Sequence, residues 1–422
     1  MTDDLVVAFD SAYFGGRLSA DARSLLAALA DAEDDAIALA DRAFRLMRMA
    51  GIDAKDVAAY TAWLIGFSVP RTVPSAWHGS VPPLTLASRH ARLDEYVAGN
   101  SWHQPEAGVF LDLGCGFPPM TTIGTARSLP GWQVIGADPA FGQYLVYDED
   151  GRYALFDPEK RLRFVQSGNT DPDPEATRER FSRLLTDLLD GREGSGARLV
   201  AEPSREFECD NLTLVREGMG EIEIPGGVDV IRCMNVLMYY DQTFRLRTLE
   251  WAAGLLRPGG LLICGSNWAH STCSRYTVYQ RRGGSLVARE FAFGVDNVRP
   301  IELAPWYALH DDNVENRANA HAVGILRRDP RFRRHFDDRL DVELADLGVC
   351  ARGADGYLGG AGDRSADDLA VIAAELAERL DEFVEDAVTV LQRNGYEAWR
   401  NSAAHVAMTP FMPPPLPNSR VR

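Results

Sequence analysis

Two glycines, Gly114 and Gly116, follow an apolar run over 109–113 in which the single acid is Asp112. A strand, a tight glycine turn and a helix start in that order are typical of the first βα unit of a nucleotide-binding α/β fold. Prolines follow at 118–119, and a proline has no backbone N–H to donate. Because a dinucleotide's pyrophosphate is held by backbone N–H groups, the turn favours a phosphate-free ligand with a cationic end.

Other elements must bring further side chains to this turn. A second apolar run over 132–137 ends at Asp138, 26 residues after Asp112. Later runs predict three more strands and a closing hairpin, at 212–216, 229–235, 261–264 and 276–293. The Pro-Gly-Gly at 258–260 is expected to end a helix and lead into the fifth strand. This order predicts an α/β fold: a mostly parallel sheet with one antiparallel strand, flanked by helical regions at both ends.

The glycine turn then resembles a known family. The segment 111–116, Leu-Asp-Leu-Gly-Cys-Gly, is similar to the first signature of class I S-adenosylmethionine-dependent methyltransferases. Asp138, the run 229–231 and the turn 256–260 resemble three later signatures in the same order. The resemblance covers roughly 107–295 apart from one insertion. It implies a Rossmann-like fold, with S-adenosyl-L-methionine as the cofactor.

The resemblance also implies which residues hold the cofactor. The first turn would hold the methionine end, Asp138 the ribose hydroxyls, the residues after the third strand the adenine, and the end of the fourth strand would lie beneath the methyl group. These cofactor-binding residues are Asp112, Gly114, Cys115, Gly116, Asp138, Glu217, Gly218, Met219 and Asn235. The segment 233–240 is similar to chemotaxis-receptor glutamate methyltransferases. Their first signature differs from 112–116, so their protein-carboxylate substrate is not carried over.

The acceptor must be aligned with the methyl group, and a phenol, alcohol or amine must also lose a proton. The histidines that could take it are His78, His90, His103 and His270. His270 follows the fifth strand and His103 precedes the first, so these two are the predicted catalytic residues. We expect methyl transfer to an oxygen or nitrogen of a small molecule. The alternatives are a protein or peptide acceptor, a non-catalytic binding protein with a relict fold, and a NAD-dependent dehydrogenase.

Periodicity divides the chain into three regions. Residues 1–105 form an N-terminal helical lid or substrate region, with helices to Gly51, over 54–67 and over 84–97. Residues 106–300 form the methyltransferase core, with an insertion at about 140–210 whose role stays open.

Residues 301–422 are predicted to be helical, with helices over 313–326 and 337–347 and a long helix over 369–391. The apolar stripe of the long helix is either a core face or a dimer seam, so a homodimer through the helical flanks is an open alternative. The proline-rich end at 412–417 is expected to fray.

The composition of the chain limits the classes of partner that it is expected to bind. A net charge of −17 argues against nucleic-acid binding, and no run of 18 apolar residues suggests a membrane span. The start of the chain lacks the basic segment of a signal peptide, so we expect a cytoplasmic protein. Six scattered cysteines form no C-x-x-C pair, which predicts neither a metal site nor a disulfide framework.

Overall fold

The computed structural model describes residues 42–52, 89–99, 105–299, 314–349 and 366–417, with short gaps at 44, 106, 117–118, 140, 142–143, 166–173, 193–195, 202 and 268–273. The predicted helix over 54–67 lies outside these residues, as do Pro118, His78, His103 and His270.

The described strands and helices alternate through the core. The strands are β1 (Val109–Leu113), β2 (Gln133–Ala137), β3 (Tyr144–Tyr147), β4 (Tyr153–Phe156), β5 (Leu162–Val165), β6 (Arg198–Val200), β7 (Leu212–Val215), β8 (Val228–Met234), β9 (Leu256–Ser266), β10 (Arg275–Arg282), β11 (Ser285–Phe293), β12 (Ala398–Arg400) and β13 (Val406–Met408). The helices are α1 (Ala91–Gly99), α2 (Met120–Ser128), α3 (Pro174–Leu189), α4 (Gln242–Leu255), α5 (Val314–Arg328), α6 (Pro330–Asp346), α7 (Ala366–Arg379) and α8 (Glu382–Arg393).

A nine-stranded sheet in the order β12-β13-β11-β10-β9-β8-β1-β2-β7 organises the described part of the chain. Strands β7, β2, β1, β8 and β9 are parallel, and β10 pairs antiparallel with β9. The predicted Rossmann-like, mostly parallel sheet is therefore confirmed. The C-terminal region extends it through β13 and β12, so β10 and β13 both run against the parallel strands. We did not expect these last two strands because each is only three residues long.

Side chains alternate between the two faces of the parallel strands. On one face Phe110, Val230 and Ile263 pack with α1 and α2. On the other face Leu111, Ile231 and a further set of apolar residues pack with α4. Both faces are buried, which is why these strands read as continuous apolar runs.

The turn at Pro258-Gly259-Gly260 differs from the prediction. It lies inside β9, which starts directly after α4, and it forms a bulge: Val228 pairs with Leu256, but Val230 pairs with Leu261. From this bulge Arg257 reaches Asp229, at 2.5 Å, and the carbonyl of Gly226. The Pro-Gly-Gly therefore sets the register of β9 against β8.

A second, antiparallel sheet of β5-β4-β3-β6 forms between β2 and β7, within the predicted insertion. The helix α3 covers it, and Phe181 packs into a small core of its own with Val146, Phe156 and Leu185. The hairpin of β3 and β4 and the helix α3 thus belong to this insertion.

The C-terminal helices share one core with residues 42–52 and with β11 and β13. Leu376, Leu380, Phe383 and Leu391 are buried in it, so the apolar stripe is a core face. The single helix expected over 369–391 is wrong, because the chain forms a tight turn at Leu380 and Asp381 between α7 and α8.

The end of the described chain is also more ordered than expected. Leu416 is buried, and Arg45 donates hydrogen bonds to the carbonyls of Leu416 and Pro417. The expected fraying at 412–417 is therefore wrong, since tertiary contacts hold this proline-rich segment. At the other boundary, Gly51 ends its helix in the left-handed region, as predicted.

Candidate functional site

The glycine turn lies at the carboxyl end of β1, the side of an open α/β sheet where ligands bind. Its backbone donors are already used. The N–H groups of Gly114 and Cys115 donate to the carbonyl of Ala137 at 2.8 and 3.3 Å, and that of Gly116 donates to Oδ2 of Asp138 at 2.9 Å. The end of β2 thus occupies the donors that a pyrophosphate would need, in agreement with the prediction of a phosphate-free ligand.

Glycine at 114 is required for two physical reasons. Its φ is +66°, in the left-handed region that an L side chain rarely adopts. In addition, a Cβ at this position would overlap Cγ2 of Val236, the second residue after β8. The turn is therefore pressed against the chain that leaves the fourth parallel strand.

Asp138 and the segment after β7 lie next to each other. Gly218 faces Pro139, the residue after Asp138, and its N–H donates to Glu221. Met219 is half-buried against the core, and Glu217 is exposed. The structure therefore brings the predicted ribose and adenine residues together at one place.

Cys115 is enclosed in the turn. Its side chain is buried, and this burial raises the pKa of the thiol well above its usual value, with a further contribution from Asp138. The side chain is therefore a neutral thiol at pH 7, and it would contact a ligand as a small apolar group.

Asp112 belongs to a buried ion network. Its two carboxylate oxygens accept hydrogen bonds from Arg232 at 3.0 and 2.6 Å, and Thr122 donates to Oδ2 at 2.7 Å. Arg232 also donates to Asp94 of α1 at 2.8 Å, and Thr125 donates to the same carboxylate. We refer to Asp94, Asp112 and Arg232 as the buried triad.

The buried triad changes the role of Asp112. This residue was expected to hold the methionine end of the cofactor, but its side chain is almost completely buried and both oxygens are bound to protein. The register of β1 and β8 places it directly opposite Arg232, and this pairing explains its engagement. Asp112 therefore positions the turn from below and does not present an open carboxylate to a ligand.

Neither Arg232 nor Asp94 was predicted from the sequence as part of the site. The signal for Arg232 was its place inside β8, where every residue is buried. An arginine in such a strand needs an acidic partner, because burying an unpaired charge is very unfavourable. No comparable signal marked Asp94, which lies 138 residues earlier in the chain.

Asn235, the residue after β8, adopts an unusual backbone. Its φ is +61°, in the left-handed region that few residues other than glycine occupy and that asparagine adopts more readily than most. Asn235 Nδ2 donates to Asn267 Oδ1 at 2.8 Å, and the N–H of Asn267 donates back to Asn235 Oδ1 at 2.9 Å. This amide pair joins the ends of β8 and β9. Residues other than glycine that are held in this region cluster at functional sites.

One of the histidines named above lies beside this amide pair. His90 directly precedes α1, and its imidazole lies next to Asn267 with only 6% of the residue exposed. Burial lowers its pKa well below 6.5, and the nearby guanidinium groups of Arg232 and Arg89 lower it further. The predicted catalytic residues His103 and His270 remain predictions.

Neither a metal centre nor a membrane span emerges from the described ranges. No group of histidine, cysteine, aspartate and glutamate residues there could hold a metal ion. No helix there is long and apolar enough to cross a membrane.

No protein-family model matches the chain. The chain is 33% identical over 84 residues to chemotaxis protein methyltransferase 2 of Pseudomonas aeruginosa, which covers 19% of this chain and 29% of that protein. It is 43% identical over 49 residues to the chemotaxis protein methyltransferase of Escherichia coli, covering 11% and 17%. The chain thus spans less than a third of the length of these curated relatives.

Among solved structures, the chain is similar to PKMT2 from Rickettsia typhi in complex with AdoHcy, with 17% identity and a TM-score of 0.23, over 44% of this chain and 26% of that one. The curated relatives match over short segments, and the sheet is mostly parallel, as predicted. The resemblance to class I S-adenosylmethionine-dependent methyltransferases is confirmed, with the subfamily unspecified.

Proposed function

We propose that this chain is an S-adenosylmethionine-dependent methyltransferase that acts on an oxygen or nitrogen of a small-molecule acceptor. The observation that carries the proposal is the closure of the glycine turn onto the end of β2, where Ala137 and Asp138 take its backbone donors. Such a turn suits a ligand without phosphate. This property separates the methyl donor from a dinucleotide.

The residues present fit most of the cofactor. Asp138 would accept hydrogen bonds from the ribose hydroxyls, and the 217–219 segment beside it would contact the adenine. Gly114, Cys115 and Gly116 would lie along the methionine end, and Asn235 would lie below the methyl group. When bound, the sulfonium supplies an activated methyl group. The protein then has to align the acceptor with it and exclude water.

The role of Asp138 can be tested by calorimetry with S-adenosylhomocysteine. We expect Asp138→Ala to weaken binding by about 10- to 100-fold, because it removes charged hydrogen-bond acceptors for the ribose. Asp150→Ala, a change at an exposed acid in the insertion, is the matched control and should bind like the unmodified chain. Equal affinity of the Asp138→Ala variant would disprove the ribose assignment. Binding of NADH, measured by its fluorescence, would favour a dehydrogenase.

A protein acceptor is the second candidate, because both relatives described above are named chemotaxis protein methyltransferases. The two candidates can be distinguished by incubating the protein with a cell lysate and methyl-labelled cofactor. The lysate is then separated by a molecular-weight cutoff into a protein fraction and a small-molecule fraction. Label in the small-molecule fraction supports the first candidate. Base-labile label in the protein fraction supports methylation of a protein carboxylate instead.

A further inference from the structure

A polar side chain that has no role in the proposed function lies beside the ends of β8 and β9. Neither buried ring nitrogen of His90 makes a hydrogen bond of good geometry with a described residue, although the side chain of Asn267 lies close enough to act on the imidazole. Such a group is rare, because burying a polar atom without a partner usually costs about 1–3 kcal/mol. A buried imidazole whose nitrogens make no such hydrogen bond is a candidate to meet a ligand.

The position of His90 is fixed by several contacts. Its carbonyl accepts the N–H of Asp94 at 2.9 Å, at the start of α1. Asp94 is held in turn by Arg232. Asn267 Nδ2 contacts the carbonyl of Arg89 at 3.4 Å, next to the imidazole. The backbone that carries His90 is therefore anchored to the buried triad and to the amide pair.

These contacts place His90 one side chain away from Asn235. The amide of Asn267 touches Asn235 on one side and lies beside the imidazole on the other. Asn235 is the residue proposed to lie below the methyl group, at the carboxyl end of β8. The acceptor must reach the methyl group, and His90 therefore lies near the position that a bound acceptor would occupy.

We propose, on the basis of the proposed function, that His90 binds the methyl acceptor and receives its proton, and that the acceptor is a hydroxyl compound such as a phenol. The acceptor oxygen forms a bond to the methyl carbon while the methyl–sulfur bond breaks and its electron pair goes to sulfur. The hydroxyl proton passes to a ring nitrogen of His90, so the positive charge of the sulfonium is replaced by that of an imidazolium. The proton then leaves for water.

The neutral imidazole of His90 favours a hydroxyl acceptor over a carboxylate. The guanidinium groups of Arg89 and Arg232 act on the ring, and Arg232 is paired with Asp94 and Asp112. A carboxylate has no proton to give, so its methylation would not need the imidazole as a proton acceptor. A neutral imidazole can accept the hydroxyl hydrogen, and burial keeps the ring neutral at pH 7 because it lowers the pKa of His90.

The test observes the imidazole itself in the full chain. The protein is labelled with ¹⁵N-histidine and saturated with S-adenosylhomocysteine, and phenol is titrated while the ring nitrogens are followed by NMR. We expect phenol to shift the His90 resonances and anisole, which lacks the O–H, to shift them much less. His405 is the internal control, because it is also buried but its Nδ1 already contacts the Tyr276 hydroxyl at 3.1 Å.

The variant His90→Gln identifies the His90 resonances and His405→Gln those of the control, and His90→Asn replaces His90→Gln if that variant does not fold. Unshifted His90 signals at millimolar phenol, or a larger response to benzoate or benzylamine, would overturn the proposal. Calorimetry of the unmodified chain keeps the two failures apart. Failure to bind S-adenosylhomocysteine contradicts the proposed function, whereas binding without a His90 response contradicts only this inference.

Discussion

The two sides of the sheet's carboxyl edge differ in how completely their polar groups are paired. At the glycine turn, backbone donors are bonded to the end of β2, and Asp112 below is held by Arg232 and Thr122. At the ends of β8 and β9, Asn235 and Asn267 satisfy each other, but neither ring nitrogen of His90 beside them makes a hydrogen bond of good geometry with a described residue. We refer to the first side, where the polar groups are paired within the protein, as the framework. We refer to the second side, where His90 is proposed to bind a ligand, as the open side.

The largest expected effect tests whether the framework depends on the buried triad. Replacing Arg232 with Met leaves the buried carboxylates of Asp94 and Asp112 facing each other without their cation. We expect a loss of about 3–5 kcal/mol in the free energy of unfolding, measured by urea denaturation. Arg339→Met is the matched control, since Arg339 is 45% exposed and its partner Glu343 keeps Arg379. It should cost at most about 1 kcal/mol. Equal costs in the two variants would contradict the picture of a framework held by buried charge.

The next effect concerns the turn itself. Gly114→Ala combines an unfavourable positive φ with an overlap between the new methyl group and Val236. Gly151→Ala, in the hairpin of the insertion, has a similar φ of +76° and open space around it. Both variants should lose about 1–2 kcal/mol in the free energy of unfolding because of the positive φ. Only Gly114→Ala should also bind S-adenosylhomocysteine more weakly, by at least about 10-fold. Calorimetry and thermal unfolding of the two variants separate strain from steric overlap. Unchanged affinity of Gly114→Ala would mean that the turn does not shape the cofactor site.

The smallest expected effect is a change in how the free energy of unfolding depends on pH, and it concerns His90 on the open side. Because burial lowers the pKa of His90, the unfolded chain binds a proton near pH 6.5 while the folded chain does not, so stability falls as the pH drops below 6.5. The slope from this group is at most about 1.4 kcal/mol per pH unit. His90→Gln should remove it, as measured by urea denaturation between pH 5 and 8.

Asp94 contributes with the opposite sign. Burial raises its pKa to about 6, so the folded chain takes up this proton first and gains stability as the pH falls below 6. Asp94→Asn should therefore steepen the loss on acidification, whereas His90→Gln should flatten it. Identical profiles for the two variants would contradict the assignment of these slopes.

The sequence predicted the framework well because its signals are local. The apolar runs of β1, β2, β7 and β8, the paired glycines at 114 and 116, and the acid at 138 can each be recognised within a few residues. The bulge in β9 was not predicted, since the same Pro-Gly-Gly is compatible with a turn before a strand and with a turn inside one. The strands β12 and β13 exist only through their pairing with β11.

The open side could be predicted only in part. Asn235 was found from its place at the end of the fourth strand, and His90 was one of four candidate histidines. What singles out His90 is the arrangement of α1, β8 and β9, which comes from contacts between distant segments. The position of Asp112 shows the same limit: the residue was identified, but its partner Arg232 is 120 residues away in the sequence, so the buried triad was not predicted.

The buried triad also fixes an order of events during synthesis. Asp94 leaves the ribosome 138 residues before Arg232, so at about 5–20 residues per second roughly 7–28 s pass before the cation that neutralises it exists. Throughout that interval the helix α1 cannot dock without burying a carboxylate that has no counterion. We therefore expect α1 and β1 to reach their final packing only after β8 has been made.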